Sequence, residues 1–159
     1  DEIHKEFGPE CLIFQESNPS LEKRLALWSS ADIILCSALN DGLCIPVLEY
    51  VKCRMIAGKL SDSTMICSEF AGCNEAMRGV LKYNPFSLTG FSDTMDKALS
   101  LTPEERQENM MNAYQYVKRN SVTKWTEGFL RDLKLAYQPI QVSYYLGLNF
   151  TSTKQDGNK

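Results

Sequence analysis

Apolar blocks alternate with amphipathic stretches along most of the chain. Residues 32–36 and 64–67 are apolar runs of strand length and predict two buried strands. Shorter apolar runs at 80–83 and 11–14 predict a third strand and a further strand candidate. Strands that alternate with helices are typical of a parallel sheet with right-handed crossovers, so the pattern indicates an α/β fold.

Helix signals separate these strands. Ser20 predicts an N-cap, and Thr102 followed by Pro103 and two acidic residues predicts another helix start. Further helices are predicted over 46–54, around 74–78, over 87–99 and from Ser121 or Thr123 onward. Two of them carry apolar stripes that we expect to pack in the core. The stripes are Leu88, Phe91, Met95 and Leu99, and Trp125, Phe129, Leu133 and Ala136.

The character of the chain changes after residue 138. Residues 142–150 are aromatic and β-prone, and residues 151–159 are polar. We therefore predict a domain over 1–138 and a connecting segment over 139–159, with the last residues disordered.

Composition excludes several functional classes. The 159 residues are 43% apolar and 23% charged, which suits one domain or a piece of a larger one. A net charge of −3 gives no general attraction to nucleic acid, and no apolar run approaches the ~20 residues that cross a bilayer. The six cysteines lack paired metal-type spacing and predict reduced, packed thiols in the cytoplasm. With His4 as the only histidine, a Ser-His-Asp triad or multi-His metal site is not expected.

The turn between the strand at 32–36 and the helix at 46–54 carries the candidate chemistry. Gly42 permits a positive φ or a close backbone approach, and Pro46 suits a helix start. We expect the N–H groups of Leu43, Cys44 and Ile45 to face outward as a site for an anion such as a diphosphate.

Two carboxylates accompany that turn. Glu49 lies about one helical turn after its start and could accept hydrogen bonds from a ribose diol, while Asp41 could hold a sugar. The same spacing also fits an ordinary strand-to-helix turn with two solvated acids.

Four motifs follow one another along the chain. They are Asp41-Gly42, Glu49-Tyr50, Ser-Glu-Phe-Ala-Gly at 68–72 and Asn-Pro-Phe at 84–86. This ordered series resembles the carboxyl half of trehalose-6-phosphate synthases, over roughly residues 3–136. Finer features, among them Cys53-Arg54 and Gly72-Cys73, resemble the plant-type long proteins, in which a phosphatase-like domain follows the synthase-like one.

The resemblance implies the C-terminal, Rossmann-like half of a GT-B glycosyltransferase. It implies transfer of glucose from UDP-glucose to glucose-6-phosphate with retained configuration, without a cofactor or metal. Asp41 would hold glucose hydroxyls as the catalytic residue, and Glu49 would hold the ribose. The backbone N–H groups of Gly42, Leu43, Cys44 and Ile45 would hold the glucose and the diphosphate. The partners implied are an N-terminal acceptor domain and a downstream phosphatase-like domain.

Two departures leave a second interpretation open. Asn40 stands where the family has arginine, and Cys44 stands where it has asparagine. The family's phosphate-gripping basic residues have no match here, so we expect this chain alone to be inactive. The alternatives are an active transferase and a regulatory, sugar-phosphate-sensing protein that has lost transfer. A third alternative is an unrelated Rossmann-like domain such as a phosphorelay receiver, but the acidic cluster that such a domain needs is missing from this sequence. Cys44 could also be a redox site, although simple drift at a position where only the backbone is used explains it as well.

Overall fold

A computed structural model describes residues 2–75 and 77–137 of the chain, which divide into two compact units. The first unit ends at Arg119 and contains a sheet with its helices, and the second begins at Asn120. The predicted segment 139–159 lies outside the described residues. No helix among those described is both long enough and apolar enough to cross a membrane.

The first unit alternates strands and helices, as the apolar pattern predicted. Its elements, in chain order, are α1 (Glu2–Phe7), α2 (Leu21–Ser30), β1 (Ile33–Cys36), α3 (Ile45–Ile56), β2 (Thr64–Ser68), β3 (Leu81–Tyr83), α4 (Leu88–Ser100) and α5 (Pro103–Arg119), with short 3₁₀ turns at Leu60–Asp62 and Gly72–Glu75. The strands form a parallel sheet in the order β1-β2-β3.

The sheet is covered on both faces. Met65 and Cys67 of β2 belong to a core cluster with residues of α3 and α5, including Val47 and Met110. Ile66, which points to the opposite face, belongs to a second cluster with Tyr83 and α4. Because adjacent strand residues face opposite sides, β2 is buried along its whole length.

Capping signals place the helix starts correctly. Ser20 accepts a hydrogen bond from the Lys23 N–H at the start of α2. At the start of α5, Thr102 and Glu105 exchange backbone-to-side-chain hydrogen bonds in a capping box. Both starts were predicted from these residues, because each signal is satisfied by neighbours in sequence.

Three predictions about secondary structure and packing are wrong. Residues 11–14 form no strand, and Ile13 is 89% exposed, because this apolar run has no strand to pair with in the described chain. The helix predicted around 74–78 is only the 3₁₀ turn at Gly72–Glu75. On α4, Phe91 and Met95 pack in the core, whereas Leu88 and Leu99 are exposed.

The second unit contains α6 (Val122–Tyr137) among the described residues. No α6 residue is buried, and the side chains of Trp125 and Phe129 stack on each other with ring centroids 5.5 Å apart. The expectation that Trp125, Phe129, Leu133 and Ala136 pack in a core stays a prediction, because the second unit is described by itself.

Candidate functional site

The loop between β1 and α3, residues 37–44, leaves the carboxyl end of β1 beside the turn that follows β2. Asp41 and Ala71 form an isolated parallel bridge between the two turns. The Gly72 N–H donates to the Asp41 carbonyl oxygen over 2.7 Å. In parallel sheets this edge is where ligands bind, so the loop lies where the sequence placed the site.

The close backbone approach occurs at Gly72. A Cβ on Gly72 would lie 2.0 Å from the Gly42 carbonyl oxygen and 2.6 Å from its carbon. Gly42 does not have a positive φ, and a Cβ there would meet no heavy atom within 4 Å. Of the two alternatives for Gly42, the positive φ is wrong, whereas a close backbone approach does occur at its carbonyl group. The steric requirement for glycine nevertheless belongs to Gly72 in the neighbouring turn.

Asp41 folds back on its own loop. Its Oδ1 accepts hydrogen bonds from the N–H groups of Leu43, over 2.9 Å, and Cys44, over 2.8 Å. Cys44, which precedes the first residue of α3, has left-handed backbone angles, φ 56° and ψ 61°. The expectation that the Leu43 and Cys44 N–H groups are free is therefore wrong in this state of the loop. Pro46 was expected at the first position of the helix, and it is the second residue of α3, which begins at Ile45.

These hydrogen bonds favour the ionised form of Asp41. The N–H of Cys44 and then that of Leu43 hold the pKa of the Asp41 carboxyl below its usual value. Within the described part of the chain, no hydrogen bond reaches Oδ2. One carboxylate oxygen of Asp41 therefore organises the loop, and the other keeps its capacity to accept a hydrogen bond.

Glu49 is in the second turn of α3, and its carboxylate accepts hydrogen bonds from two residues of α2. Arg24 donates from Nη2 to Oε1 and from Nε to Oε2, both over 2.9 Å. Trp28 Nε1 donates to Oε2 over 3.1 Å. A carboxylate accepts about four hydrogen bonds, so one position remains on Oε1. Sequence analysis missed Arg24, since nothing in the sequence pairs residues 25 positions apart.

The middle and the last turn of α3 are held in place by neighbouring elements. The Tyr50 hydroxyl donates to the carbonyl oxygens of Ala31, over 3.1 Å, and Asp32, over 2.8 Å. Arg54 is fully buried, and its guanidinium donates to Ser29 O over 3.0 Å and pairs with Asp32 Oδ1 over 3.2 Å. This fixes the helix that presents Glu49.

An apolar cavity of about 530 Å³ opens at the carboxyl ends of β1 and β3. It is large enough for a flat, mostly apolar group. Its lining is Leu35, Ser37, Leu39, Tyr83, Pro85, Phe86, Ser87, Leu88 and Phe91.

Buried thiols gather beneath the loop. The Sγ atoms of Cys44, Cys67 and Cys73 all lie within 4.8 Å of one another, and Cys36 Sγ lies 2.7 Å from Cys44 Sγ. All six cysteines are free. Hydrogen bonds with Cys44 and then Cys67 lower the pKa of Cys73, and burial raises that of Cys36 to about 11.

Cys44 itself is not activated. Its hydrogen bond with Cys67 lowers its pKa, but its hydrogen bond with Cys73 and its burial outweigh that effect, and the net shift is upward. This argues against Cys44 as a lone reactive thiolate at a helix start.

The chain is similar in sequence to curated trehalose-phosphate synthases. The chain is 28% identical over 142 residues to the probable UDP-forming alpha,alpha-trehalose-phosphate synthase 7 of Arabidopsis thaliana. It spans 17% of the length of that curated relative, and the match covers 83% of this chain.

Solved structures agree with this comparison. The N-terminal domain of Candida albicans trehalose-6-phosphate phosphatase matches 86% of this chain and 29% of its own, at TM-score 0.76 and 27% identity. The UDP-forming synthase from Burkholderia xenovorans, solved with glucose-6-phosphate, matches 84% of this chain and 30% of its own, at TM-score 0.72 and 23% identity. The predicted fold class, a Rossmann-like parallel sheet that forms part of a GT-B glycosyltransferase, is confirmed.

The family resemblance found in the motifs is confirmed as well. The family model of glycosyltransferase family 20 matches residues 2–135, which include β1, α3 and the loop between them. The chain therefore belongs to glycosyltransferase family 20.

Proposed function

We propose that this chain is the donor-binding part of a retaining glycosyltransferase that transfers glucose from UDP-glucose to glucose-6-phosphate in trehalose biosynthesis. The observation that carries the proposal is the hydrogen bonding of two carboxylates, one on the β1–α3 loop and one on α3. Asp41 and Glu49 are each held by protein donors, and each keeps a position for a further hydrogen bond.

Glu49 is suited to a ribose hydroxyl. Its remaining position is on Oε1, while Arg24 and Trp28 hold the carboxylate in one orientation. One ribose hydroxyl can donate there with Arg24 in place. A second would require one of the donors to move, so we propose a single direct hydrogen bond as the starting geometry.

Asp41 is suited to glucose. Its free Oδ2 can accept from a sugar hydroxyl while Oδ1 keeps the loop in shape. The N–H groups proposed to meet the diphosphate first are those of Gly42 and Ile45. Those of Leu43 and Cys44 become available only if a phosphate oxygen replaces Asp41 Oδ1.

Such donors would serve the chemical step. As the bond from glucose to UDP breaks, negative charge grows on the diphosphate. Backbone N–H groups already aimed at that position stabilise the charge with little reorganisation. We propose that this step needs no cofactor and no metal, with UDP-glucose as the donor substrate.

The whole reaction requires more than this chain. We propose that an N-terminal acceptor domain binds glucose-6-phosphate, that a phosphatase-like domain follows, and that the assembly works in the cytoplasm. This chain alone is proposed to bind the donor without turning it over. The much greater length of the Arabidopsis relative supports this division.

Donor binding can be tested on the chain itself. We expect Glu49→Ala to weaken UDP-glucose binding, measured by calorimetry, by about 1.5–3 kcal/mol, as for a charge-assisted hydrogen bond. Glu108→Ala is the matched control, because Glu108 is an exposed carboxylate on α5. Equal dissociation constants for both variants and the unmodified chain would reject the assignment of Glu49.

Transfer is tested in a longer chain that also carries the acceptor domain. UDP release from UDP-glucose is measured with and without glucose-6-phosphate. Release that depends on glucose-6-phosphate supports the transferase.

A regulatory, sugar-phosphate-sensing protein is the second candidate. Asn40 and Cys44 differ from the synthase motif. A protein named as a phosphatase carries a similar N-terminal domain, so this fold is not restricted to proteins named as synthases. UDP-glucose binding without UDP release from the longer chain would favour this candidate.

A further inference from the structure

We propose that Cys44, Cys67 and Cys73, with Cys36 as a fourth thiol, form a binding site for a thiophilic metal ion of the zinc class. This goes beyond the proposed transfer reaction, in which no metal takes part. The ion would lie beneath the β1–α3 loop and would act on its shape.

The distances suit such an ion. The three Sγ atoms form a triangle with no side longer than 4.8 Å. Around a tetrahedral zinc with bonds of about 2.3 Å, sulfur atoms are about 3.8 Å apart. The longest side would thus contract by about 1 Å at most, which thiol rotations can supply.

Cys36 is placed to complete the set. Its Cα is paired with that of Cys67 in the register of β1 and β2, so both side chains leave the same face of the sheet. Its Sγ lies 2.7 Å from that of Cys44 and would move away by about 1 Å to reach tetrahedral spacing. Cys36 is half-buried, whereas the other three are fully buried.

The donor set selects the class of ion. Thiolates are soft ligands that favour zinc, copper(I) and cadmium over magnesium or calcium. Each thiol that binds releases its proton to solvent and donates a lone pair to the ion. Burial among apolar side chains keeps water away from the bonds once they form.

The ion would stabilise the loop described above. Cys44 immediately precedes α3, and its N–H donates to Asp41 Oδ1. Cys67 is in β2, and Cys73 is in the 3₁₀ turn that contains Gly72. One ion would therefore tie together both turns at the carboxyl edge of the sheet.

The test is a cadmium titration of the full chain, reduced and kept free of oxygen. We expect one equivalent of Cd²⁺ to bind and to produce the ultraviolet charge-transfer absorption of a cadmium thiolate. A large excess of Cd²⁺ over its dissociation constant should raise the melting temperature by roughly 5–10 °C. X-ray absorption of the bound ion should show three or four sulfur neighbours.

Cysteine variants separate this site from other thiols. Cys67→Ala and Cys73→Ala should weaken Cd²⁺ binding by at least about 100-fold, beyond what loss of an outer-shell partner costs. Cys11→Ala and Cys53→Ala, which change cysteines outside the cluster, should bind as the unmodified chain does. Circular dichroism without metal checks that each variant folds. If a variant does not fold, the X-ray absorption of the unmodified chain still tests the proposal.

Two results would overturn the proposal. One is no stoichiometric uptake of Cd²⁺ by the reduced chain. The other is an oxygen or nitrogen shell around the bound ion.

Discussion

The two turns that leave the carboxyl edge of the sheet lie side by side but differ in kind. The turn after β1 exposes Gly42 and Leu43 and presents a carboxylate oxygen of Asp41. The turn after β2 buries Ala71 and Cys73 and contributes Gly72, whose Cα lies against the Gly42 carbonyl. The first carries groups that can meet a ligand, and the second fixes where those groups lie.

The difference shows that the glycine in the motif with the candidate chemistry, Gly42, is not the one that packing requires. Packing requires Gly72, in the neighbouring turn. The Asp-Gly pair at 41–42 attracts attention because its residue types suit a sugar or a phosphate. The steric requirement is nevertheless strict at Gly72, because only a residue without Cβ lets the two backbones meet there. Mutations in the two turns should therefore separate stability from binding.

The largest effect is expected for Gly72→Ala. A methyl group 2.0 Å from the Gly42 carbonyl oxygen must push two backbone segments apart, and the Gly72–Asp41 hydrogen bond would be lost. We expect the free energy of unfolding to fall by about 3 kcal/mol, measured by urea unfolding followed by circular dichroism.

Gly128→Ala is the matched control for this substitution. Gly128 is in α6, and the nearest side-chain atom to an added Cβ is 4.0 Å away. We expect no destabilisation, because alanine favours the helix by about 0.5–1 kcal/mol. If Gly72→Ala were equally harmless, the close approach of the two turns would be refuted.

A smaller, pH-dependent effect is expected for Asp41→Asn. The folded-state pKa of Asp41 is lowered by the N–H groups of Cys44 and Leu43, so its charge stabilises the fold above the unfolded pKa of about 3.9. That contribution disappears as the pH falls through the folded-state pKa. The melting temperature of the variant should lie below that of the unmodified chain at pH 7, and the gap should close in acid. A gap that stays constant with pH would contradict a role for the charge.

Sequence analysis succeeded where neighbours in sequence determine the structure. The apolar runs gave β1 and β2, and the caps at Ser20 and Thr102 gave the starts of two helices. It failed where the structure depends on whether a segment finds a partner elsewhere in the chain. The run at 11–14 had the composition of a strand, but it pairs with no strand in the described chain.

The candidate site shows the same division. The position of the loop followed from motif and spacing, and the same reasoning named Asp41 and Glu49 as candidates, which they remain. The partners of Glu49 come from another helix, 21 and 25 residues earlier. The thiol cluster joins β1, the start of α3, β2 and the following turn, and no short cysteine spacing announces it. Tertiary contacts decide which side chains already have hydrogen-bond partners in the folded chain. Those contacts cannot be read from the sequence.

The smallest effect on stability, and the sharpest contrast with Gly72, is expected for Gly42→Ala. Its Cβ would meet no heavy atom within 4 Å, and Gly42 has no positive φ that would strain alanine. The free energy of unfolding should change by no more than about 0.5 kcal/mol. The methyl group would nevertheless extend from an exposed part of the loop beside Asp41, where the proposed donor binds. UDP-glucose binding, measured by calorimetry on the same sample, should weaken although the fold is intact. If both stability and binding were unchanged, the proposed contact between UDP-glucose and the Gly42 backbone would be rejected, because a ligand at that backbone would collide with the added methyl group.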